Sequence, residues 1–461
     1  MDEDAIDYIF DDVSSFYAEL DDILRYPCSG KEDVERITTR YIRFLTRFQD
    51  EFCQTSSEQA QAAYKLIDSN FFLEHSTLIL SHIIQNHALR ATSADDLLMV
   101  YSLLIYAGKE DPRWMKYIVS DARRDKQNLL FRKIIREIES GFGSIKWMAA
   151  AVVLVFEMSK VSRVRAADLE IITPSLINCL LDIVESTLGD ADETFNYDVI
   201  RLILVLNEQF VMAPNHLISN VVLDVLSTRL GTANTFGSNL IFMLNRSDDA
   251  CVKLLILKLL YCIFTRSSLY EYFYTNDLYV LVDVILREVC NLGEERDAEA
   301  LRDAYLRVLR PCLTNTQLKY TPYKQNEIHR TLCSMITPCS YRTADPTLQR
   351  LVQRILEEWW EKICNHPVAP LLGVDVKAGA MLASSQNNAV LASSRSPSPY
   401  PFIRTSSSSS STSSTTSFSP TLPSSSSPSP STPPAKEQQR QSTSKHNDNN
   451  ASDVIVCAGA Y

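Results

Sequence analysis

Within the stretch FGSNLIFMLNRSDD the sequence places Asn239, Asn245, Arg246, Asp248 and Asp249 directly ahead of the apolar run CVKLLILKLLYCIF. Amides, a guanidinium and two carboxylates at one joint can catalyse, cap a helix, or offer hydrogen bonds to another protein. Capping accounts for the carboxylates, because Asp248 stands where an N-cap side chain can accept from the unpaired amides of the next helix. It leaves Asn239, Asn245 and Arg246, whose burial without partners would be costly and which a loop can present outward. Lys253 and Lys258 then interrupt the apolar helix, so one narrow edge of it is expected to reach solvent.

Catalysis finds no support elsewhere in the chain. GxSxG, HExxH, Walker and Gly-rich kinase signatures do not occur. His75, His82 and His87 are spaced by seven and five, whereas two metal ligands on one helix face need about three or four. Glu357/Glu358 and Asp248/Asp249 fall at helix ends or on polar faces, the ordinary place of caps and solvated acids. The expectation is a protein with no catalytic residue, no metal and no cofactor, and therefore not an enzyme.

The elements that must position the joint are helical. Only 11 of the 461 residues are Gly, so tight turns and phosphate-cradling loops are scarce. Residues 4–24 align Ile6, Phe10, Val13, Phe16, Leu20 and Ile23 in one apolar stripe. Residues 31–53 do the same with Val34, Ile37, Tyr41, Leu45, Phe48 and Phe52. Strand-type alternation punctuated by Gly or Asn-Gly is lacking. Helical segments start near 144, 194, 248 and 297, about 50 residues apart, with partners near 174, 216 and 277. Pro174 suits a first turn, and Pro214 stops the helix before it. Armadillo and HEAT repeats of about 40–47 residues, lengthened by insertions, fit this spacing. Each pair can bury its face on the next, which keeps a long chain folded without one large core.

The last 96 residues hold 11 of the 19 prolines and an unbroken Ser/Thr run from Thr405 to Ser417, a composition that cannot bury enough apolar surface to fold. The expected fold is all-α, an armadillo/HEAT-like helical solenoid followed by a disordered Ser/Pro-rich tail. Its parts are an N-terminal helical segment 1–90 packing on the solenoid, an armadillo-like domain 91–365, and the tail 366–461.

A net charge of −11 disfavours broad binding to nucleic acid or anionic membranes. The opening MDEDAIDYIFDD has no leader character, and the longest apolar run, WMAAAVVLVF at 147–156, is too short to span a bilayer. A soluble, cytoplasmic protein without membrane insertion is expected. Residues 1–24, with nine acids, read as the solvated face of a first helix, and RRDKQNLLFRKIIR at 123–136 as a solvated basic face. The 11 cysteines form no CxxC pair; Cys251, Cys262, Cys290 and Cys312 lie among Leu, Ile and Val and read as buried, reduced thiols.

FGSNLIFMLNRSDD, followed by LLILKLLYCIFTRSSLYEYFYTNDLYVLVDVILREV, resembles the WISH/DIP family of Arp2/3 complex activators in its fungal form. The resemblance covers about residues 90–365 and is strongest from 195 to 320, with TFGSNLIFMLNR and YFYTNDLYVLVD its most specific parts. It implies an armadillo-type domain that binds the Arp2/3 complex and activates it without a preformed mother filament. The linear actin filaments so nucleated seed branched networks at endocytic cortical actin patches. Asn239, Asn245, Arg246, Lys253, Lys258, Asn276 and Asp277 are the residues placed to grip the complex. The alternative is an armadillo-type endocytic or trafficking scaffold without nucleating activity. Animal members carry an SH3 domain, but residues 1–60 here are helical in pattern. The chain is instead expected to be a ligand for SH3 proteins of the endocytic machinery, through Pro420/Pro423 and Pro430/Pro433, both PxxP.

Limited proteolysis is expected to trim the chain rapidly to a fragment close to 1–366, read by intact-mass spectrometry. Equal resistance across 380–450 would refute the boundary.

Overall fold

The computed structural model describes residues 12–186, 193–213, 218–293, 295–337 and 345–361. Pro214 and the tail from 366, with Pro420, Pro423, Pro430 and Pro433, lie outside them, as do residues 4–11 of the first expected helix. The chain opens with α1 (Val13–Leu24), α2 (Lys31–Phe52), α3 (Ser56–Ile67) and α4 (Asn70–His82). Asp12, Thr55 and Ser69 cap α1, α3 and α4 by accepting from backbone amides, with Glu58 closing a capping box on Thr55. A π-turn at 83–88 leads to α5 (Ala94–Glu110) and α6 (Pro112–Asp121). A two-residue hairpin follows, β1 (Arg123–Arg124) with β2 (Gln127–Asn128), and then α7 (Leu129–Glu139), α8 (Ile145–Val161) and α9 (Ala166–Leu169). Next come α10 (Pro174–Ser186), α11 (Thr194–Val211), α12 (Val221–Thr228), α13 (Asn234–Arg246) and α14 (Ala250–Thr265). The described chain closes with α15 (Thr275–Asn291), α16 (Arg296–Asn315), α17 (Gln325–Ile336) and α18 (Pro346–Ile355).

These helices form two rows. In the central row α2, α5, α8, α11, α14, α16 and α18 pack each on the next. In the outer row α7, α10, α13, α15 and α17 do the same, and each outer helix packs on a central one. The fold is therefore an all-α solenoid. The middle helices of this row, α5, α8, α11 and α14, are apolar nearly all round because they have neighbours on every side. Trp147–Phe156, the longest apolar run, is the body of α8, with Trp147, Val152, Leu154 and Val155 wholly inaccessible. None of the described helices is long and apolar enough to cross a membrane.

Polar ties join successive central helices at nearly constant sequence separation. Gln209 donates to the Ser159 carbonyl at 2.7 Å, Lys258 to the Glu208 carboxylate, and Asn315 to the Phe264 carbonyl at 2.9 Å. The separations are 50, 50 and 51 residues, so the period of about 50 expected from the sequence is a period of physical contacts.

Four expectations need correction. The helix expected near 216 starts at Val221, and the turn at Gly231 (φ +77°) opens a further helix, α13, so this repeat has three helices. The hairpin was not expected because its primed turn uses Asp125 (φ 46°) and Lys126 (φ 69°) instead of Asn-Gly. Residues 123–136 are not simply a solvated face, since Arg132 is tucked against Asp168 at 3.4 Å and Lys133 pairs with Glu137 at 2.8 Å. Of the four cysteines read as buried, Cys312 is buried, Cys251 and Cys262 are half-buried, and Cys290 is exposed.

The π-turn after α4 has a chemical consequence. It brings the His82 and His87 rings to 5.2 Å, with His82 Nε2 2.8 Å from the Thr39 hydroxyl. Desolvation, reinforced by Arg43 and the neighbouring imidazole, pushes His87 down to about 4; desolvation also lowers His82, against the pull of Glu35 and with the help of Lys31 and Arg90. Histidines held neutral in the fold but free to protonate when unfolded favour unfolding in acid. Stability measured by urea denaturation is therefore expected to be flat above pH about 6.5 and to fall as pH drops from there toward 4. His87→Gln should flatten that descent. An unchanged slope in the variant would show that His87 does not contribute to it.

Candidate functional site

The expected site centres on α13, and the fold holds that helix from both ends. Its N-cap, Ala233, has no side-chain acceptor, so Glu185 of α10 takes the role, receiving the Thr235 and Phe236 amides at 3.1 and 3.0 Å. Tyr272 donates to the Ala233 carbonyl at 2.9 Å. Close packing of Tyr272 and Phe273 on Gly237, where an added Cβ would lie 3.4 Å from both rings, sets the start of α13 against the start of α15. At the other end Arg287 of α15 donates to the Asn245 side chain at 2.6 Å, so α13 and α15 run in the same direction.

The seven expected residues fall into four different environments. Asn245 and Arg246 are exposed at the C-terminal end of α13, and Lys253 lies half-buried beside them. Lys253 pairs with Glu288 at 3.0 Å, and Arg287 bridges Glu288 (2.8 Å) to Asn245. Burial pushes the Glu288 carboxyl up, but the hydrogen bonds from Arg287 and Lys253 outweigh it and hold the group below the usual carboxylate range. Asn239 is half-buried and donates to Asn196 of α11 at 3.0 Å. Asn276 and Asp277 occupy the first turn of α15, about 16 Å along the helix from Arg287. They do not join the Asn245 cluster.

Lys258 departs furthest from expectation. It is only 5% exposed and donates to Glu208 of α11, itself 2% exposed, inside the central row. The edge of α14 expected to reach solvent at this lysine faces α11 instead, and Lys258 is not a surface residue. The cap is also displaced by one residue. Asp249 accepts from the Cys251 and Val252 amides at 2.8 and 3.3 Å, while Asp248 is exposed. Glu358, read as a surface acid, accepts from Arg310 at 2.9 Å and Arg354 at 3.0 Å.

Sequence reasoning missed the apolar part of this surface. Phe242 is 42% exposed, stacks on Tyr197 with ring centres 6.2 Å apart, and carries the Arg246 guanidinium 5.3 Å over its face. Tyr197 donates to Glu193; desolvation first and then that carboxylate push its hydroxyl up to about 12. On α15 Val280 is 52% exposed, and Tyr274 just before it 59%. Aromatic and arginine side chains in partly desolvated clusters are the groups that dominate protein interfaces. The available signal was an apolar residue at an outward helical position, which periodicity shows for Phe242 and Val280 once the buried face is known. Among the described residues, no group of three His, Cys, Asp or Glu could hold a metal ion.

Comparison with known proteins places a family match on this part of the chain. Residues 192–328, from the start of α11 into α17, match the SPIN90/Ldb17 leucine-rich domain. The chain is 27% identical to Protein dip1 of Schizosaccharomyces pombe over 323 residues, covering 68% of this chain and 84% of that protein. It is 34% identical to Protein LDB17 of Saccharomyces cerevisiae over 183 residues, which is 39% of this chain and 36% of the yeast protein. Protein LDB17 of Eremothecium gossypii is 29% identical over 194 residues, 41% of each chain.

The buried pair makes a sharp prediction. Lys258→Ala strands the Glu208 carboxylate in the row and is expected to cost about 3–5 kcal/mol in urea denaturation. Lys258→Met combined with Glu208→Leu removes both charges and should recover most of that loss. A Lys258→Ala protein as stable as the parent would mean that the pair is solvated.

Proposed function

We propose that the chain is a member of the WISH/DIP family, to which the SPIN90/Ldb17 domain match and the relatives above point, and that it binds and activates the Arp2/3 complex. Activation proceeds without a preformed mother filament and yields linear filaments that seed branched networks at endocytic cortical actin patches. The observation that carries this reading is the match of residues 192–328, which contain the whole of the exposed α13–α15 surface. No bond is made or broken by the protein itself. A rigid surface that binds the active arrangement of the complex more tightly than the inactive one shifts the population toward it by that difference in affinity.

The geometry supports a division of labour. The central row keeps the outer helices in register, and the outer helices present Phe242, Arg246, Asn245 and, farther along, Asn276 and Asp277 to the partner. Lys253 positions this face through Glu288 and Arg287, and Asn239 does so through Asn196. Lys258 plays no direct part. The Pro420/Pro423 and Pro430/Pro433 motifs serve SH3 proteins of the endocytic machinery, which brings the activator to its place of action.

The test is actin assembly with purified Arp2/3 complex and no filament seeds. The unmodified protein should shorten the lag, and Arg246→Glu with Asn276→Arg should lower the rate at least about tenfold, as losing charge complementarity within an interface costs about 2–5 kcal/mol. The same variant should melt close to the parent, because exposed substitutions usually stay within about 0.5 kcal/mol. A protein that binds the complex but never shortens the lag would be a scaffold. A variant that folds and activates fully would move the contact to another face.

A further inference from the structure

Away from α13, the hairpin β1–β2 and the loop between α8 and α9 enclose a small cleft lined by Arg123, Arg163 and Arg165. In a chain of net charge −11 this gathering of guanidinium groups is unusual, although Asp168 also lines the cleft and Arg163 lies within electrostatic reach of Glu208. Arg123 donates to the Ser162 hydroxyl at 3.0 Å, and Arg163 and Arg165, both exposed, form no ion pair among the described residues. At the hairpin tip Arg124 donates only to the carbonyls of Asp121 and Arg123, and Lys126 stands exposed beside it. The acids nearby are already engaged. Asp168 receives Arg132 and the Asn128 amide, and Asp121 receives Ser81 and Gln85.

A second observation points into the same cleft. Ser159, on its wall, is wholly buried, and its hydroxyl has no hydrogen-bond partner. A buried hydroxyl left unpaired is costly, so the wall of the cleft carries one unmet polar group. The cleft holds only about 20 Å³, so a phosphoryl group would seat at its mouth, beside the arginines, and not on the floor. Guanidinium forks suit that task because they donate two parallel hydrogen bonds to phosphate oxygens.

We propose that this cleft is a phosphate-binding site whose ligand is a phosphorylated Ser/Thr-Pro peptide. A single phosphate, with a charge of roughly −1.5 to −2, matches a cleft lined by three arginines. An anionic membrane is the poorer match. It would also meet the exposed acids Asp125 and Glu170 and the net negative charge of the protein. Peptides of the required kind occur in this sequence, where Ser396, Ser398, Ser419, Ser427 and Ser429 each precede Pro.

The experiment uses the full-length, dephosphorylated protein and a fluorescent peptide spanning residues 415–431, with phosphate on Ser419, Ser427 and Ser429 or with none. Fluorescence anisotropy should show the phosphorylated peptide binding at least about tenfold more tightly. Arg163→Gln with Arg165→Gln should abolish that preference while leaving the circular dichroism spectrum unchanged, since both side chains are exposed. Ser159→Ala, which removes only the unpaired hydroxyl, should keep the preference. Equal binding of the two peptides, or a preference surviving in the double arginine variant, would overturn the proposal. So would arginine-dependent capture by phosphatidylinositol bisphosphate vesicles without binding of the phosphopeptide, which would make the cleft a lipid site. None of these readouts involves actin or its nucleators, so the proposal stands or falls apart from the family function.

Discussion

The central row of helices cannot exist one helix at a time. α8, α11 and α14 are apolar on nearly every face, and each can be kept from water only by a neighbour on either side. The fold follows from that mutual dependence. An outer helix covers each rung, the N-terminal helices extend the row through α2 and α5, and α18 closes it at the far end. Apolar contact alone would leave the rungs free to slide. The ties from Gln209, Lys258 and Asn315 to the preceding rung are directional, and each is satisfied in one register only.

Much of this was legible in one dimension because the determinants are local. Long stripes at helical spacing, Pro174 at a helix start and a recurrence near 50 residues require no knowledge of neighbours. What escaped reading depends on partners far along the chain. Lys258 looks like a solvent-facing interruption until Glu208, lodged in the equally apolar LILVLNEQF of the previous repeat, is seen opposite it. A lysine in one apolar helix and a single glutamate 50 residues before it, in the helix one repeat earlier, is a pattern that the sequence does contain. Asp248 and Asp249 are both plausible caps, and only the backbone geometry after Ser247 selects the second. The cluster around Arg287 was invisible because Asn245 lies 42 residues away from it.

The two rows also differ in how much surface they leave free. Inside the central row Lys258 and Glu208 are buried against each other and cannot be spared for another molecule. Outer helices α13 and α15 bury one face, which anchors them, and leave a second face whose residues can change with little effect on the core. Phe242, Arg246 and Val280 sit on that second face, where an exposed apolar side chain has no structural task that requires it.

The last described turn shows what the row's end means mechanically. There Trp359 is buried, Trp360 stacks on His329 with ring centres 4.2 Å apart, and Glu358 is clamped by Arg310. A tensile load entering at the C-terminal side meets this clasp first. Because every rung contacts only its neighbours, such a load would peel helices away in succession instead of shearing the whole assembly at once. The unfolding force would then be set by the weakest single rung, and the clasp of Trp359, Trp360 and Glu358 determines when the first one yields.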